Sequence, residues 1–297
     1  YFFARDLHNK LGVPIGMIHT SWGGTPAQAW TSLEGFGKDP ELKAYADVAA
    51  NRLVSYDAEV AAHAAAMEKF KVDSKEWNET VGKAYEETLK AWNEATAQAK
   101  AAGQPLPPKP NPSSPQPKAP GNPGGGSGNP ATLYNGMIAP IIPYGIKGAI
   151  WYQGESNAGQ SKQYRTLFPA MIADWRSRWK QGEFPFFFVQ IAPFKGQPPE
   201  IREAQFLTLA KVKNTAMAVT TDVGNANDIH PNQKEPVGQR LALAARALTY
   251  GEKIEYSGPL YETLSAKDGK ITLTFKHVGG GLVAKDGDLK GFTIAGE

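Results

Sequence analysis

Asp228-Ile229-His230 is the pair in this sequence best suited to acid–base chemistry. An imidazole titrates near neutrality, so it can take and return a proton. A carboxylate two residues away can hold the imidazole tautomer and stabilise the imidazolium. In a loop, both side chains can point into one cleft. A surface histidine with a chance acidic neighbour looks the same, so the pair needs company before it means chemistry. Gly23-Gly24 is one companion: such a turn can aim backbone N–H groups at an oxyanion, although it also reads as a plain tight turn. Gln153, Glu155 and Asn157, in Gln153-Gly154-Glu155-Ser156-Asn157, can donate or accept in the same cleft. Asp222, Asp228 and His230 are metal-ligand types, but no helical i, i+4 pair supports a metal site, and none is expected. Cysteine is absent, which removes disulfides, thiol nucleophiles and Cys-based zinc sites. Of the other histidines, His8 and His63 fall on helical patterns and His277 in a β-rich tail, all expected at the surface. His19 falls inside an apolar run and is expected in the core.

The elements that must position these groups follow from periodicity. Short apolar runs at 14–20, 147–152, 186–191 and 216–221 read as buried strands. They end at Ser21-Trp22-Gly23-Gly24, at Gln153-Gly154-Glu155, at Gln190-Ile191-Ala192-Pro193 and at Asp222. Helical patterns fill 161–180 (Tyr164, Leu167, Phe168, Met171, Ile172, Trp175), 200–212 and 233–249. Strands alternating with helices of this length predict a parallel sheet covered on both faces. Ligands of such sheets bind at the carboxyl ends of the strands, where all the candidates above lie. Residues 41–102 change character to Ala, Glu and Lys with helical spacing and predict two or three helices. Residues 104–130 hold 10 of the 23 prolines and a run from Gly124 to Gly128, so no regular element is expected there. Residues 38–130 together read as an insertion into the main domain. From 251 to 297 the pattern turns β-rich, with period 2 over Lys270–Phe275, as at the start of an antiparallel β domain.

Composition narrows the function classes. The chain of 297 residues is 41% apolar and 21% charged, which is globular composition. A net charge of +3 is too small to argue for nucleic acid or a membrane surface. No run approaches the ~18 consecutive apolar residues of a transmembrane helix. The sequence opens at Tyr1 in a helical pattern, without the basic and apolar regions of a signal peptide, and reads as a fragment.

Seven segments in order resemble sialate O-acetylesterases, which are SGNH-type carbohydrate esterases. They are Tyr1–Leu7, Pro14–Ile18, Ser21–Pro26, Leu133–Ile138, Trp151–Asn157, Arg202–Gln205 and Asp228–Pro231. The likeness covers 1–37 and 131–250 closely, the β tail loosely, and the insertion not at all. It implies a flavodoxin-like α/β domain that hydrolyses O-acetyl esters on an acetylated sugar or glycan, without metal or cofactor, in a periplasmic or secreted protein. In that scheme His230 is the general base and Asp228 orients it, with Asp222 in reserve. The Gly23 N–H and the Gln153 or Asn157 side chain form the oxyanion hole. Trp22, Glu155 and Arg202 are carried over as substrate-binding positions. The family's nucleophile lies in a Gly-Gln-Ser-Asn block that this sequence does not contain, and it is expected upstream of Tyr1. The wider SGNH pattern places Asp three before His, where this chain has Asn227. Two alternatives stay open. Ser156 follows a strand in an almost complete Gly-x-Ser-x-Gly elbow and would make an α/β-hydrolase. A carbohydrate-binding protein without catalysis would use Trp22, Trp151 and Tyr152 as sugar platforms. Oligomeric state is not legible.

Overall fold

A computed structural model describes residues 1–37, 39–123, 125–284 and 287–295. Lys38 at the expected insertion boundary, Gly124 of the glycine run, and Lys285, Asp286, Gly296 and Glu297 of the tail lie outside the described residues. The chain divides into two compact units, Tyr1–Asp47 with Ser127–Glu297, and Val48–Gly126.

The first unit is an α/β fold. Helix α1 (Phe2–Leu11) ends at Gly12, whose φ of 68° is the left-handed cap that glycine adopts without a Cβ penalty. The short α2 (Leu33–Phe36) is capped by the Ser32 side chain. A parallel sheet follows, with β1 (Ala149–Trp151), β2 (Phe186–Val189) and β3 (Thr215–Ala218) in the order β1-β2-β3, so β2 is central. Helices α5 (Ser161–Trp179), α6 (Pro199–Lys211) and α7 (Lys234–Leu248) connect and cover it. All four β2 residues are buried. Phe187 and Val189 face α1 and α7, joining Leu7, Val237 and Leu241 in one cluster. Phe186 and Phe188 face α5 and meet Phe168 edge-on at 6.1 and 5.0 Å. Each buried phenylalanine stabilises the fold by roughly 1.5–3 kcal/mol, so Phe186-Phe187-Phe188-Val189 secures both layers at once. Gly238 of α7 lets α1 approach closely: a Cβ there would lie 2.5 Å from Phe2 Cβ.

The expected strand at 14–20 does not form. Residues 12–20 have no ladder partner among the described residues, and Val13, Met17, Ile18 and His19 are exposed. A strand exists only by pairing, and neither outer strand of the sheet, β1 or β3, is paired to this segment. His19 is therefore a surface residue, contrary to the core placement expected of it. Beyond α7, β4 (Leu260–Lys267) and β5 (Lys270–Lys276) form an antiparallel hairpin, with exposed side chains on both faces.

In the second unit, α3 (Lys43–Trp77, its first turn within the first unit) and α4 (Lys83–Ala101) are joined through a single π turn, Asn78–Gly82. No helix or strand is assigned over 104–123.

Candidate active site

The glycine turn and the ends of β1 and β2 are drawn together by hydrogen bonds from buried amides. The Trp22–Thr25 turn carries Gly24 at φ 71°, which favours glycine, and is closed by Thr25 Oγ1 donating to the Trp22 carbonyl at 2.7 Å. Gln153, just past β1, donates from Nε2 to the Thr25 carbonyl at 3.2 Å and to Asn157 Oδ1 at 2.7 Å. Its Oε1 accepts from the Tyr164 hydroxyl at 3.1 Å. Asn157 Oδ1 also accepts from the Ala27 N–H, and its Nδ2 donates to Gln28. Gln153 and Asn157 are thus both buried, and both amide hydrogens of Gln153 are engaged, one tying the glycine turn to the β1 turn and one bracing Asn157 within the β1 turn.

Gln205 performs the same service one strand over. Fully buried on α6, it accepts from the Ile191 N–H at 3.0 Å and donates to the carbonyls of Gln153 at 2.9 Å and Val189 at 3.2 Å. Gly154 leaves room for it, since a Cβ there would stand 2.9 Å from Gln205 Nε2 and 2.8 Å from Ile191 Cγ2. Sequence patterns do not single out Tyr164 and Gln205 as site residues. The signals for Gln205 are its place in the Arg202–Gln205 segment of resemblance and a polar residue sharing the helix face of Ile201, Ala204 and Thr208.

The loop from Val219 to Gln233 carries the acid–base pair. It is tied to the end of β2 by Thr220 Oγ1 donating to the Gln190 carbonyl at 2.7 Å and by the Lys195 N–H donating to the Ala226 carbonyl at 2.9 Å. Asp228 Oδ1 accepts from the His230 backbone N–H at 2.9 Å, an Asx turn. The His230 Nδ1 stands 3.9 Å from the same oxygen, beyond hydrogen-bond length, and its side chain is 91% exposed. Asp222, the reserve carboxylate, is engaged by Arg240 through bonds of 2.7 and 2.5 Å. That ion pair engages Asp222, while Asp228 stands 3.9 Å from the His230 ring and Glu155 is near enough to feel that ring's charge.

One cavity of about 900 Å³ is lined by Trp22, Gly23, Gln153, Glu155, Ser156 and His230, with Tyr152 and Lys234. The structure therefore brings together most of the residues singled out from the sequence, with Gly24 and Trp151 also on the wall. Asn157 stands behind this wall, and neither Arg202 nor Asp228 is among the lining residues; Asp228 lines a separate cavity within the 223–233 loop, with His230 on both. Burial raises the Glu155 carboxyl above its usual range, against the pull of backbone N–H groups and of the Lys234 and His230 charges. Burial, then the Glu155 charge, pushes the Tyr152 phenol up to about 12, so it remains a hydrogen-bond donor at neutral pH. The Lys234 ammonium sits 5.3 Å over the Tyr152 ring, a cation–π distance. Ser156 lines the cavity, but no hydrogen bond joins it to a histidine among the described residues. The serine–histidine hydrogen bond that does form is Ser21 Oγ to His19 Nε2, 2.6 Å, on the unpaired segment. No cluster of metal-ligating side chains occurs among the described residues.

Comparison with known proteins bears on this arrangement. Residues 126–247 match the carbohydrate esterase family described as sialic acid-specific acetylesterase. The mouse sialate O-acetylesterase is 29% identical over 93% of this chain and 47% of its own length. The human one is 30% identical over 93% of this chain and 44% of its own. A solved structure of a carbohydrate acetylesterase from Xanthomonas citri superposes with a TM-score of 0.60 at 31% identity, covering 93% of this chain and 46% of that one. The chain spans about half the length of the curated relatives it matches.

Proposed function

The chain belongs to the sialic acid-specific acetylesterase family of carbohydrate esterases, and from that premise we propose that its cavity hydrolyses O-acetyl esters on a sugar or glycan, with His230 as general base. The observation that carries this reading is the convergence of the Gly23 turn, the Gln153 turn and His230 on one cavity. His230 takes the proton of the attacking hydroxyl and returns it to the leaving sugar oxygen. Asp228 holds the imidazole once the two tighten to hydrogen-bond length on substrate binding. The Gly23 N–H faces the carbonyl oxygen as charge develops on it. The engaged hydrogens of Gln153 and Asn157 make these two residues the frame of that turn, and a rearranged Gln153 its second donor. Trp22 and Tyr152 supply apolar faces for the sugar ring. A periplasmic or secreted location goes with such a substrate and is part of the proposal.

The nucleophile is the missing part. We assign it to a serine on a strand outside the 297 residues that lies between β1 and residues 13–20. Three features support this. Parallel sheets are ordinarily covered and paired, yet Ile150 of β1 is 37% exposed. The segment Met17–Thr20 is unpaired. Both line the same cavity, with apolar Phe2, Phe3, Val189, Val237 and Leu241 in its wall. A strand there would reach the Gly23 turn and His230 at its carboxyl end. The test is acetate release from a panel of O-acetylated sugars by a longer natural form of the protein. Wild type should turn over at least one sugar, and His230→Ala should lower kcat/KM by at least a thousandfold. Turnover unchanged in His230→Ala would overturn the assignment.

A further inference from the structure

In the second unit, the proline-rich stretch has a definite partner. Proline locks φ near −65° and drives the residue before it to extended backbone. Between Gln104 and Pro120 only Ser113 and Lys118 are neither a proline nor the residue before one. Such a segment runs as a left-handed polyproline helix, bent here at Ser113–Ser114, with carbonyls that its own backbone does not bond.

Three of those carbonyls are met by aromatic side chains of the long helix. The Trp92 indole N–H donates to Pro107 at 3.0 Å, the Tyr85 hydroxyl to Pro110 at 3.1 Å, and the Trp77 indole N–H to Ser114 at 3.1 Å. The two repeats keep step. Seven residues of α-helix rise about 10.5 Å and three of polyproline about 9.3 Å, matching Trp92–Tyr85 to Pro107–Pro110. Eight residues of helix rise about 12 Å and four of polyproline about 12.4 Å, matching Tyr85–Trp77 to Pro110–Ser114. The extra helix residue falls in the π turn Asn78–Gly82, which puts both aromatics on one face. Gly82 is buried there, and a Cβ on it would come within 3.1 Å of the Trp77 ring. Continuing the repeats pairs Phe70 with Pro117 and His63 with Pro120, and all four are half-buried among exposed neighbours. His63 Nδ1 is shielded from solvent and has no hydrogen-bond partner among the described residues.

We propose that the helix face carrying Trp77, Tyr85 and Trp92 is a binding site for a left-handed polyproline helix, and that residues 104–120 are its resident ligand, held in cis. The site reads carbonyls that recur about every 10 Å, through donors on aromatic arms, so its ligand class is a proline-rich peptide with a proline in most pairs of residues. Tethering keeps the resident segment at an effective concentration near millimolar, so the site opens to other peptides only when that segment is displaced.

The test uses the full chain with 104–120 replaced by a Gly/Ser run of equal length, and a synthetic peptide of residues 104–120 added in trans. Saturable binding, read from the indole N–H resonances of Trp77 and Trp92, is expected. Trp77→Phe and Trp92→Phe, which keep a ring but remove the donor, should each weaken it roughly fivefold, and a peptide with every proline changed to alanine should not bind. Absence of binding, equal binding by the phenylalanine variants, or equal binding of the alanine peptide would overturn the proposal. In the unaltered chain the same two indole hydrogens should exchange with solvent at least tenfold more slowly than a free indole. Exchange at the free rate would overturn it even if the linker variant does not fold.

Discussion

Replacing Gln205 by leucine should damage the fold and the cavity together. The substitution keeps the side-chain volume roughly constant and removes three buried hydrogen bonds. The Ile191 N–H and the Gln153 carbonyl lose partners at 3.0 and 2.9 Å, and the longer bond to Val189 goes as well. An abandoned buried polar group costs about 1–3 kcal/mol, so the sum is roughly 3–5 kcal/mol, with the Val189 bond counted least. For a unit of this size that corresponds to a fall in Tm of roughly 10 °C. Thermal unfolding followed by circular dichroism reads it. Glu203→Gln, two residues away on α6, is the control: its ion pair with Arg165 is solvent-exposed, and such pairs contribute under about 1 kcal/mol. A Gln205→Leu protein that melts within 2 °C of wild type would refute the reasoning that this amide holds the β1 and β2 turns together.

Three more outcomes follow from the same structure. Asp174 is buried and receives the Ser32 N–H and hydroxyl at 2.8 and 2.7 Å as well as Arg178, so Asp174→Ala should destabilise by roughly 3–4 kcal/mol in denaturant unfolding. Glu155 has a raised folded pKa, so its burial is tolerated below the unfolded value near 4.3 and opposes folding as pH rises through the folded value. The Tm of Glu155→Gln relative to wild type should therefore be higher at pH 7 than at pH 4, and an equal difference at both would contradict that sign. Gly154→Ala should cost at least tenfold in kcat/KM on an acetylated sugar, because its Cβ would displace Gln205 or Ile191 from the turn that carries Gln153.

Much of the fold is legible in the sequence itself. The run Phe186–Val189 announces a strand buried on both faces, and the apolar face of 161–180 announces α5, because each pattern is local and periodic. The convergence of the Gln153 turn and the 219–233 loop follows from one topological rule about parallel strand ends, whereas the Gly23 turn reaches the cavity without a strand before it. Residues 14–20 have the composition of a buried strand and are not one here, because pairing depends on a neighbour that no local pattern reveals. The proline tract is legible as irregular, yet its docking is not. That docking depends on matching two different helical rises across the Trp77, Tyr85 and Trp92 spacing, with a π turn that changes it by one residue. The engagement of Gln153 and Asn157 is likewise hidden, since their partners Thr25, Ala27 and Gln28 lie more than a hundred residues away in the chain.

The central claim, that His230 serves a serine lying outside these 297 residues, is tested most directly by covalent labelling. A fluorophosphonate phosphonylates the serine that an active site has activated, and mass spectrometry of the digested protein locates it. In a longer natural form of the protein the label should fall on a serine upstream of Tyr1, and His230→Ala should abolish it. The 297-residue chain alone should carry no label above its heat-denatured control. Stoichiometric label on Ser156, or on Ser21 beside His19, would contradict the account and move the nucleophile into this chain.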